Sequence, residues 1–157
     1  MSKFQLKSFF KAAYDLMLVF LQFFIISLHF LQWQFLSQKQ IIQSSPFSYL
    51  LGILIIIIAF MIMLVSIKDL GRNLSPFPRP LNNSKLVTKG IYRFTRHPMY
   101  YSIICISVGV FLIKFSIYHL FLSISLSLVI KFKIALEEQY LKNKFKNYSL
   151  YKNEVKY

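Results

Sequence analysis

The sequence is poor in charge, and above all in acidic charge. Only 15% of its 157 residues are charged, 56% are hydrophobic, and just 5 are Asp or Glu. A chain this apolar does not fit an ordinary soluble domain. The single cysteine, Cys105, excludes an internal disulfide and does not resemble a metal site. We therefore interpret residues 1–157 as one integral membrane domain and expect no bound metal.

The formal net charge of +14 raises the question of a partner. Basic residues of membrane proteins gather on the cytoplasmic side of the spans and contact anionic lipid. The sequence contains no separate basic module of the kind that nucleic-acid binding requires. We therefore expect the lipid bilayer, and no nucleic acid, as the partner. The first apolar run has the length of a span and no small-residue cleavage pattern after it, so we expect no cleavable signal peptide.

Charge is absent from four stretches of the chain. The first two are long enough to cross a bilayer at roughly 20 residues per crossing, whereas the last two are shorter and are separated only by Lys114. We interpret the last two as a short helical hairpin whose lysine reaches the far headgroups. The four stretches are residues 16–36, 46–67, 98–113 and 115–130. The predicted fold is all-α, a polytopic membrane protein with about four transmembrane helices and a cytoplasmic C-terminal helix over residues 131–145.

The positions of Lys and Arg predict the orientation. Lys39 and Lys114 lie at the two proposed external turns, and the other basic residues lie at the opposite ends of the spans. The positive-inside rule then places both termini and the long loop in the cytoplasm, and we expect a bacterial plasma membrane. Residues 1–67 supply two N-terminal spans. In residues 68–157 the loop and the C-terminal segment face the same compartment and can form one site.

The string RHPMYY, residues 96–101, covers the start of the third span and the two residues before it. Proline is favoured at the first position of a helix, because the N–H that it lacks has no partner there. Pro98 thus predicts a helix that starts at the membrane surface, with His97 and Tyr100 around its N-terminus. Free N–H groups and the helix dipole favour an anionic group at such a place. The alternative is an interfacial anchor, since tyrosine and arginine are common at lipid headgroups.

Glu137 and Glu138 are two of the five acidic residues and lie where the last span ends. Neighbouring side chains on a helix point about 100° apart, so only one of the two easily faces a shared pocket. The helical period alone leaves open which of the two faces inward. The alternative is a plain helix surface on which Lys133 and Glu137 form an i, i+4 pair.

Taken in order, the strings GRNLSPFPRP, LVTKGIY, RHPMY and EEQYL resemble those of the isoprenylcysteine carboxyl methyltransferase and phospholipid methyltransferase superfamily. The resemblance covers residues 71–155. It implies an integral membrane enzyme that binds S-adenosylmethionine at the cytoplasmic face, beneath a helical bundle. It also implies methyl transfer to a lipid-like or prenylated acceptor that arrives from the bilayer.

The resemblance also implies roles for individual residues. It implies cofactor binding by Lys85, Leu86, Val87, Tyr92, His97, Pro98, Met99, Tyr100 and Glu137. It places Lys133 near the substrate, where the prenylcysteine enzymes have an arginine, and a lysine offers a point charge in place of a planar fork. It identifies no catalytic residue and no metal ligand.

Two other functions fit parts of the pattern. Sterol and enone reductases share the architecture of the second half but bind NADPH, whose phosphate requires cationic side chains. The cationic residues available for it are Arg72, Arg79, Arg93 and Arg96. The other alternative is a non-catalytic membrane scaffold, and the presence of both RHPMY and the glutamate pair argues against it.

Cysteine labelling tests the predicted topology. We expect cysteines placed at Lys39 and Lys114 to react with an impermeant reagent added outside the cell, and cysteines placed at Lys85 and Lys142 to stay unlabelled, because the bilayer separates the two sets. External labelling at Lys142 would mean that residues 98–130 cross the membrane only once. The loop and the glutamate pair would then lie on opposite sides, and no shared site could form.

Overall fold

The computed structural model describes residues 3–31 and 45–156, and all regular structure in these two ranges is helical. Five α-helices follow one another: α1 Lys3–Phe30, α2 Pro46–Leu70, α3 Pro98–Lys114, α4 Ile117–Lys144 and α5 Tyr148–Glu154. Two short 3-10 helices, Gly71–Asn73 and Gly90–Arg93, lie in the loop between α2 and α3. The predicted all-α fold is confirmed.

Three segments are long and apolar enough to cross a membrane, judged by length and composition: Phe9–Phe30, Pro46–Asn73 and Ile117–Lys144. Helix α3 is also apolar but has only 17 residues. Large apolar side chains on α1 and α2 are exposed along much of their length, as expected of helices that face lipid. The prediction of a polytopic membrane protein is confirmed.

The first helix differs from its predicted bounds. We predicted a span over residues 16–36, and the structure has a helix over Lys3–Phe30. Absence of charge marks the apolar part of a span but not the end of its helix, because Lys, Gln, Leu and Ala all sustain a helix well. Residues 32–36 and Lys39 lie outside the described residues.

The second helix begins at Pro46, as predicted. Pro46 occupies the first turn, and the Ser45 hydroxyl accepts a hydrogen bond from the Ser48 backbone N–H at 3.1 Å. A serine cap and a proline in the first turn are both favourable at a helix start. The helix continues beyond the predicted end at Ile67 to Leu70.

Helices α3 and α4 form the predicted hairpin. The chain turns at Phe115, whose φ of 45° is left-handed, a conformation that non-glycine residues seldom adopt. Ser116 then caps α4, and its hydroxyl accepts a hydrogen bond from the His119 backbone N–H at 3.3 Å. The turn therefore forms without glycine or proline. Helix α4 runs on to Lys144, so the predicted extension over residues 131–145 is part of the same helix.

The helix pair α2 and α3 is held close by two facing glycines. A Cβ added to Gly52 of α2 would lie 2.8 Å from the Gly109 carbonyl oxygen, and a Cβ added to Gly109 of α3 would lie 2.9 Å from the Gly52 carbonyl oxygen. Small residues allow membrane helices to approach each other this closely. The contact fixes the position of α3, and with it the start of α3 near the end of α2.

A second contact joins α1, α3 and α4 through apolar side chains. Helices α1 and α4 supply most of this core, and α3 adds the tyrosine of the RHPMY string. The buried members are Leu18, Ile25, Tyr100, Leu122, Leu126, Val129 and Ile130. The core therefore extends to the residues that the sequence marks as a site.

A larger side chain at Gly109 should separate α2 from α3. We expect Gly109→Leu to lower the free energy of unfolding by at least about 1–3 kcal/mol, since the added atoms overlap the backbone of α2. Thermal melting of the protein in detergent measures the loss. Cys105→Leu is the control, because Cys105 lies one turn away on the same helix and is exposed. Equal melting temperatures of the two variants would contradict the close helix contact.

Candidate cofactor site

The helix ends meet at one face of the bundle and enclose a cavity there. Helix α2 ends at this face, α3 begins there, α4 reaches it with its last turns, and the loop of residues 71–97 crosses between them. The cavity contains about 750 Å³ of empty space, its open mouth included. We call it the main cavity. Its walls come from the loop, the start of α3, the end of α4, and α5.

The end of α2 holds the glycine-tyrosine turn of the loop in place. Asp69 Oδ2 accepts a hydrogen bond from the Ile91 backbone N–H at 2.8 Å. Gly90 has a φ of 63°, and a Cβ at this position would overlap the Asp69 carboxylate. Glycine is therefore required here both for its backbone conformation and for space. As a result Tyr92 is buried and lines the main cavity.

Tyr92 is also tied to α5. The Tyr151 hydroxyl donates a hydrogen bond to the Tyr92 carbonyl oxygen at 2.6 Å. Burial raises the pKa of Tyr151 to about 12 and also raises the pKa of Tyr92 above its ordinary value. Both phenols therefore stay protonated at physiological pH and act as hydrogen-bond donors.

Polar contacts position residues 85–87 along another wall. The Lys85 backbone N–H donates a hydrogen bond to Asn73 Oδ1 at 2.9 Å. Lys144, in the last turn of α4, donates to the Ser84 hydroxyl at 2.9 Å. This part of the loop has no regular secondary structure, and these bonds supply partners for its polar groups. Residues 85–87 all line the main cavity.

The RHPMY string lies at the start of α3. Pro98 is the first residue of the helix, as predicted, and His97 precedes it without a side-chain cap bond. The His97 ring stacks on the Tyr100 ring with 5.8 Å between their centroids. His97, Met99 and Tyr100 line the main cavity. The N–H groups of the first turn of α3 have no partner within the helix.

The two adjacent glutamates of α4 face different surroundings. Glu137 lines the main cavity and Glu138 does not. The Tyr100 hydroxyl lies beside the Glu137 carboxylate. Among the described residues no basic side chain forms an ion pair with Glu137. The main cavity therefore contains a carboxylate that is open to a cationic or hydroxyl-bearing ligand.

Glu138 points away from the main cavity but is not a solvated surface residue. Its Oε1 accepts a hydrogen bond from Arg96 Nε at 2.9 Å and lies 3.4 Å from His97 Nε2. Its Oε2 lies 2.5 Å from Lys152 Nζ of α5. Arg96 also donates to the Val155 carbonyl oxygen. We call Arg96, Glu138 and Lys152 the Glu138 cluster, and it joins the loop, α4 and the C-terminal segment.

Lys133 does not line the main cavity. Its side chain is almost fully buried, and Nζ donates to Gln22 Oε1 at 2.5 Å and to the Pro76 carbonyl oxygen at 2.9 Å. The same nitrogen lies 5.2 Å from the centre of the Tyr100 ring. Lys133 thus lies next to the Tyr100 ring and outside the cavity lining, where it links Gln22 of α1 to Pro76 of the loop.

The structure brings together nearly all of the residues that the resemblance selects. Those that line the main cavity are Lys85, Leu86, Val87, Tyr92, His97, Met99, Tyr100 and Glu137. Pro98 is buried, and it starts α3 without lining the main cavity.

Sequence reasoning missed several residues that build the site. Asp69 holds the turn before Tyr92, Lys144 holds the loop, and Asp15 of α1 binds Arg79. The scarcity of acidic residues was a usable signal for Asp15, because a carboxylate at the edge of an apolar span usually has a specific partner. No sequence pattern links Lys144 to the loop.

The arginines proposed for an NADPH phosphate are not gathered in one place. Arg79 and Arg96 line the main cavity, and Arg96 is already bound to Glu138. Arg93 lines a neighbouring groove, and Arg72 lines neither. Within the described residues, no group of three or more His, Cys, Asp and Glu side chains is placed to hold a metal ion.

Fold and site together define an integral membrane protein with a cavity at one end of its helical bundle. The family model for phospholipid methyltransferase matches residues 47–148, and the chain belongs to this family, a part of the superfamily of integral membrane methyltransferases like isoprenylcysteine carboxyl methyltransferase. Searches of curated proteins and of solved structures found no match. Membership supports methyl transfer to a lipid-like substrate.

Loss of the Glu138 cluster should release α5. We expect Glu138→Gln to weaken α5 docking by about 1.5–3 kcal/mol, since hydrogen bonds to a charged group are lost. Hydrogen exchange of the amides in residues 148–155 should then become faster. Glu154→Gln is the control, because it removes an exposed carboxylate of the same helix. Unchanged exchange in Glu138→Gln would show that the cluster does not hold α5.

Proposed function

We propose that the protein transfers a methyl group from S-adenosylmethionine to the head group of a membrane phospholipid. The observation that carries the proposal is the Glu137 carboxylate, which has no ion-pair partner among the described residues and lies in a cavity walled by the family's motifs. Family membership supports the lipid-like acceptor. The basic loop supports a cytoplasmic site.

The chemistry of the main cavity suits each part of the cofactor. Glu137 would hold the ammonium group or the ribose hydroxyls, because charge-assisted hydrogen bonds to a carboxylate are strong. Lys85 and the free N–H groups at the start of α3 would hold the carboxylate. The buried Tyr92 offers an aromatic surface for the adenine.

When bound, S-adenosylmethionine supplies an activated methyl group on a positively charged sulfur. In-line methyl transfer requires the chain to position the reactants and to exclude water, and it requires no covalent enzyme intermediate. The side chains of Tyr92, Tyr148 and Tyr151 are buried and line the main cavity, where they would help to exclude water. The Glu138 cluster keeps two of these tyrosines in place by holding α5.

The acceptor is an amine of a phospholipid or the carboxylate of a prenylated cysteine. The family match favours the phospholipid amine. The resemblance of the sequence motifs to isoprenylcysteine carboxyl methyltransferases keeps the prenylcysteine as the alternative. The two acceptors are distinguished by incubating purified protein with each of them and with labelled S-adenosylmethionine, and by measuring which acceptor becomes labelled. We expect label in the phospholipid.

Removal of the Glu137 charge should weaken cofactor binding. We expect Glu137→Gln to raise the Kd of S-adenosylmethionine about tenfold to a hundredfold, since one charge-assisted hydrogen bond contributes about 1.5–3 kcal/mol. Calorimetry in nanodiscs measures the Kd, and thermal melting verifies folding. Glu154→Gln, which alters a carboxylate outside the main cavity, should leave the Kd unchanged. An unchanged Kd in Glu137→Gln would remove Glu137 from the cofactor site.

The same calorimetry distinguishes a methyltransferase from the two alternatives, a reductase and a non-catalytic scaffold. S-adenosylhomocysteine should compete with S-adenosylmethionine, because the two differ only in the methyl group and its charge. Heat with NADPH alone would favour a reductase. No heat with any of the three ligands, in folded protein, would favour a non-catalytic scaffold.

A further inference from the structure

Arg79 of the loop is supported by a carboxylate inside a membrane helix. Asp15 belongs to the segment Phe9–Phe30 of α1, and its side chain is only 5% exposed. Asp15 Oδ2 lies 3.2 Å from Arg79 Nη2, and Oδ1 accepts a hydrogen bond from the Tyr140 hydroxyl at 3.1 Å. A carboxylate in an apolar helix is costly, and such residues commonly serve function.

The Arg79 guanidinium is held in position but is not covered. Its central carbon lies 5.4 Å from the centre of the Tyr140 ring, and its side chain is 45% exposed. A guanidinium has five N–H donors, and within the described residues Asp15 is its only ion-pair partner. Asp15 and Tyr140 thus orient the guanidinium, and its exposed side keeps N–H donors available for an anion.

Arg79 lies where the main cavity meets a second depression. An open groove runs between α1 and the loop and contains about 700 Å³ of empty space, its open side included; Ala12 and Asp15 form its α1 side. We call it the α1 groove. Four residues line both spaces: Ser75, Phe77, Arg79 and Pro80. A ligand in the α1 groove therefore lies next to a ligand in the main cavity.

The α1 groove lies near the start of the apolar segment of α1. Ala12 lies one turn beyond Phe9, the first residue of the apolar segment of α1. The start of an apolar span marks the boundary between the hydrocarbon core and the headgroup region. A phospholipid beside α1 thus presents its phosphate near Arg79 and its chains to the apolar surface of α1.

We propose that Arg79, oriented by Asp15 and Tyr140, binds the phosphate diester of the acceptor phospholipid in the α1 groove. This inference rests on the proposed function and assigns the acceptor a place that is separate from Glu137. A guanidinium matches phosphate oxygens with two parallel hydrogen bonds. With the phosphate held by Arg79, the head-group amine reaches the main cavity from its α1 side.

The carboxylate of S-adenosylmethionine presents similar chemistry, so the test measures both ligands. Wild type, Arg79→Gln and Arg79→Lys are prepared in detergent micelles. Binding of a short-chain phospholipid with a primary amine head group is followed by phosphorus NMR, and binding of S-adenosylmethionine is followed by calorimetry. Steady-state methyl transfer at varied phospholipid mole fraction gives KM and kcat.

We expect Arg79→Gln to weaken phospholipid binding and to raise KM about tenfold to a hundredfold, since charge-assisted hydrogen bonds are lost. Arg79→Lys should have a smaller effect on phospholipid binding and KM, because lysine keeps the positive charge but lacks the planar guanidinium that can form two parallel hydrogen bonds. The Kd of S-adenosylmethionine and kcat should stay unchanged. Arg93→Gln is the control, because Arg93 is an exposed arginine that lines neither the main cavity nor the α1 groove.

A second ligand isolates the phosphate contact. A primary alkylamine without phosphate should bind Arg79→Gln as well as it binds wild type. Weaker S-adenosylmethionine binding with unchanged phospholipid binding would overturn the proposal and place Arg79 at the cofactor carboxylate. Unchanged binding of both ligands would overturn it as well and leave Arg79 as an anchor of the loop. If Arg79→Gln does not fold, the same comparisons are decided by Arg79→Lys.

Failure of the proposed function is recognised separately. A wild-type protein that transfers no methyl group to any phospholipid contradicts the proposed function, whatever Arg79 does. The phosphorus NMR titration still decides in that case whether Arg79 binds a lipid phosphate, because it requires no turnover.

Discussion

One carboxylate, that of Glu138, holds the site together. It joins Arg96 of the loop to Lys152 of α5, and Arg96 continues to the carbonyl of Val155. Helix α5 has only 7 residues, and a helix this short is not stable unless it is packed against other parts of the protein. The Glu138 side chain is only 14% exposed, so its ion pairs are screened less than those of a surface pair. The tyrosine wall contributed by α5 depends on this contact.

Scarcity makes each acidic residue informative. Basic residues outnumber acidic ones by 19 to 5, so a carboxylate has many cations near it. Asp15 and Glu138 each bind an arginine, and Asp69 accepts the N–H that starts the turn before the cavity tyrosine. Glu137 is different, because it lies among these groups without an ion-pair partner in the described residues. Three carboxylates thus position the walls, and the fourth lines the main cavity without an ion pair among the described residues.

The sequence predicted the helices and much of the cavity, but not the path of the loop. Absence of charge marks the spans, proline marks the start of α3, and the helical period separates Glu137 from Glu138. These are local patterns, and they hold because helices are local structures. The loop is positioned by contacts between distant residues, such as Asp15 with Arg79, which leave no periodic signal. The resemblance to the family placed Lys133 near the substrate. In the structure its ammonium group is buried against Gln22 and Pro76 and lies outside the lining of the main cavity.

The shortness of α3 has a consequence for the surrounding lipid. A helix of 17 residues rises about 26 Å at 1.5 Å per residue, less than the roughly 30 Å of hydrocarbon in a typical bilayer. Such a hydrophobic mismatch is relieved when the bilayer thins beside the short helix. Such thinning would bring the headgroups next to α3 closer to the ends of this helix, and the main cavity lies at one of these ends. We expect the bilayer to be thinner beside α3 than around the longer helices of the bundle.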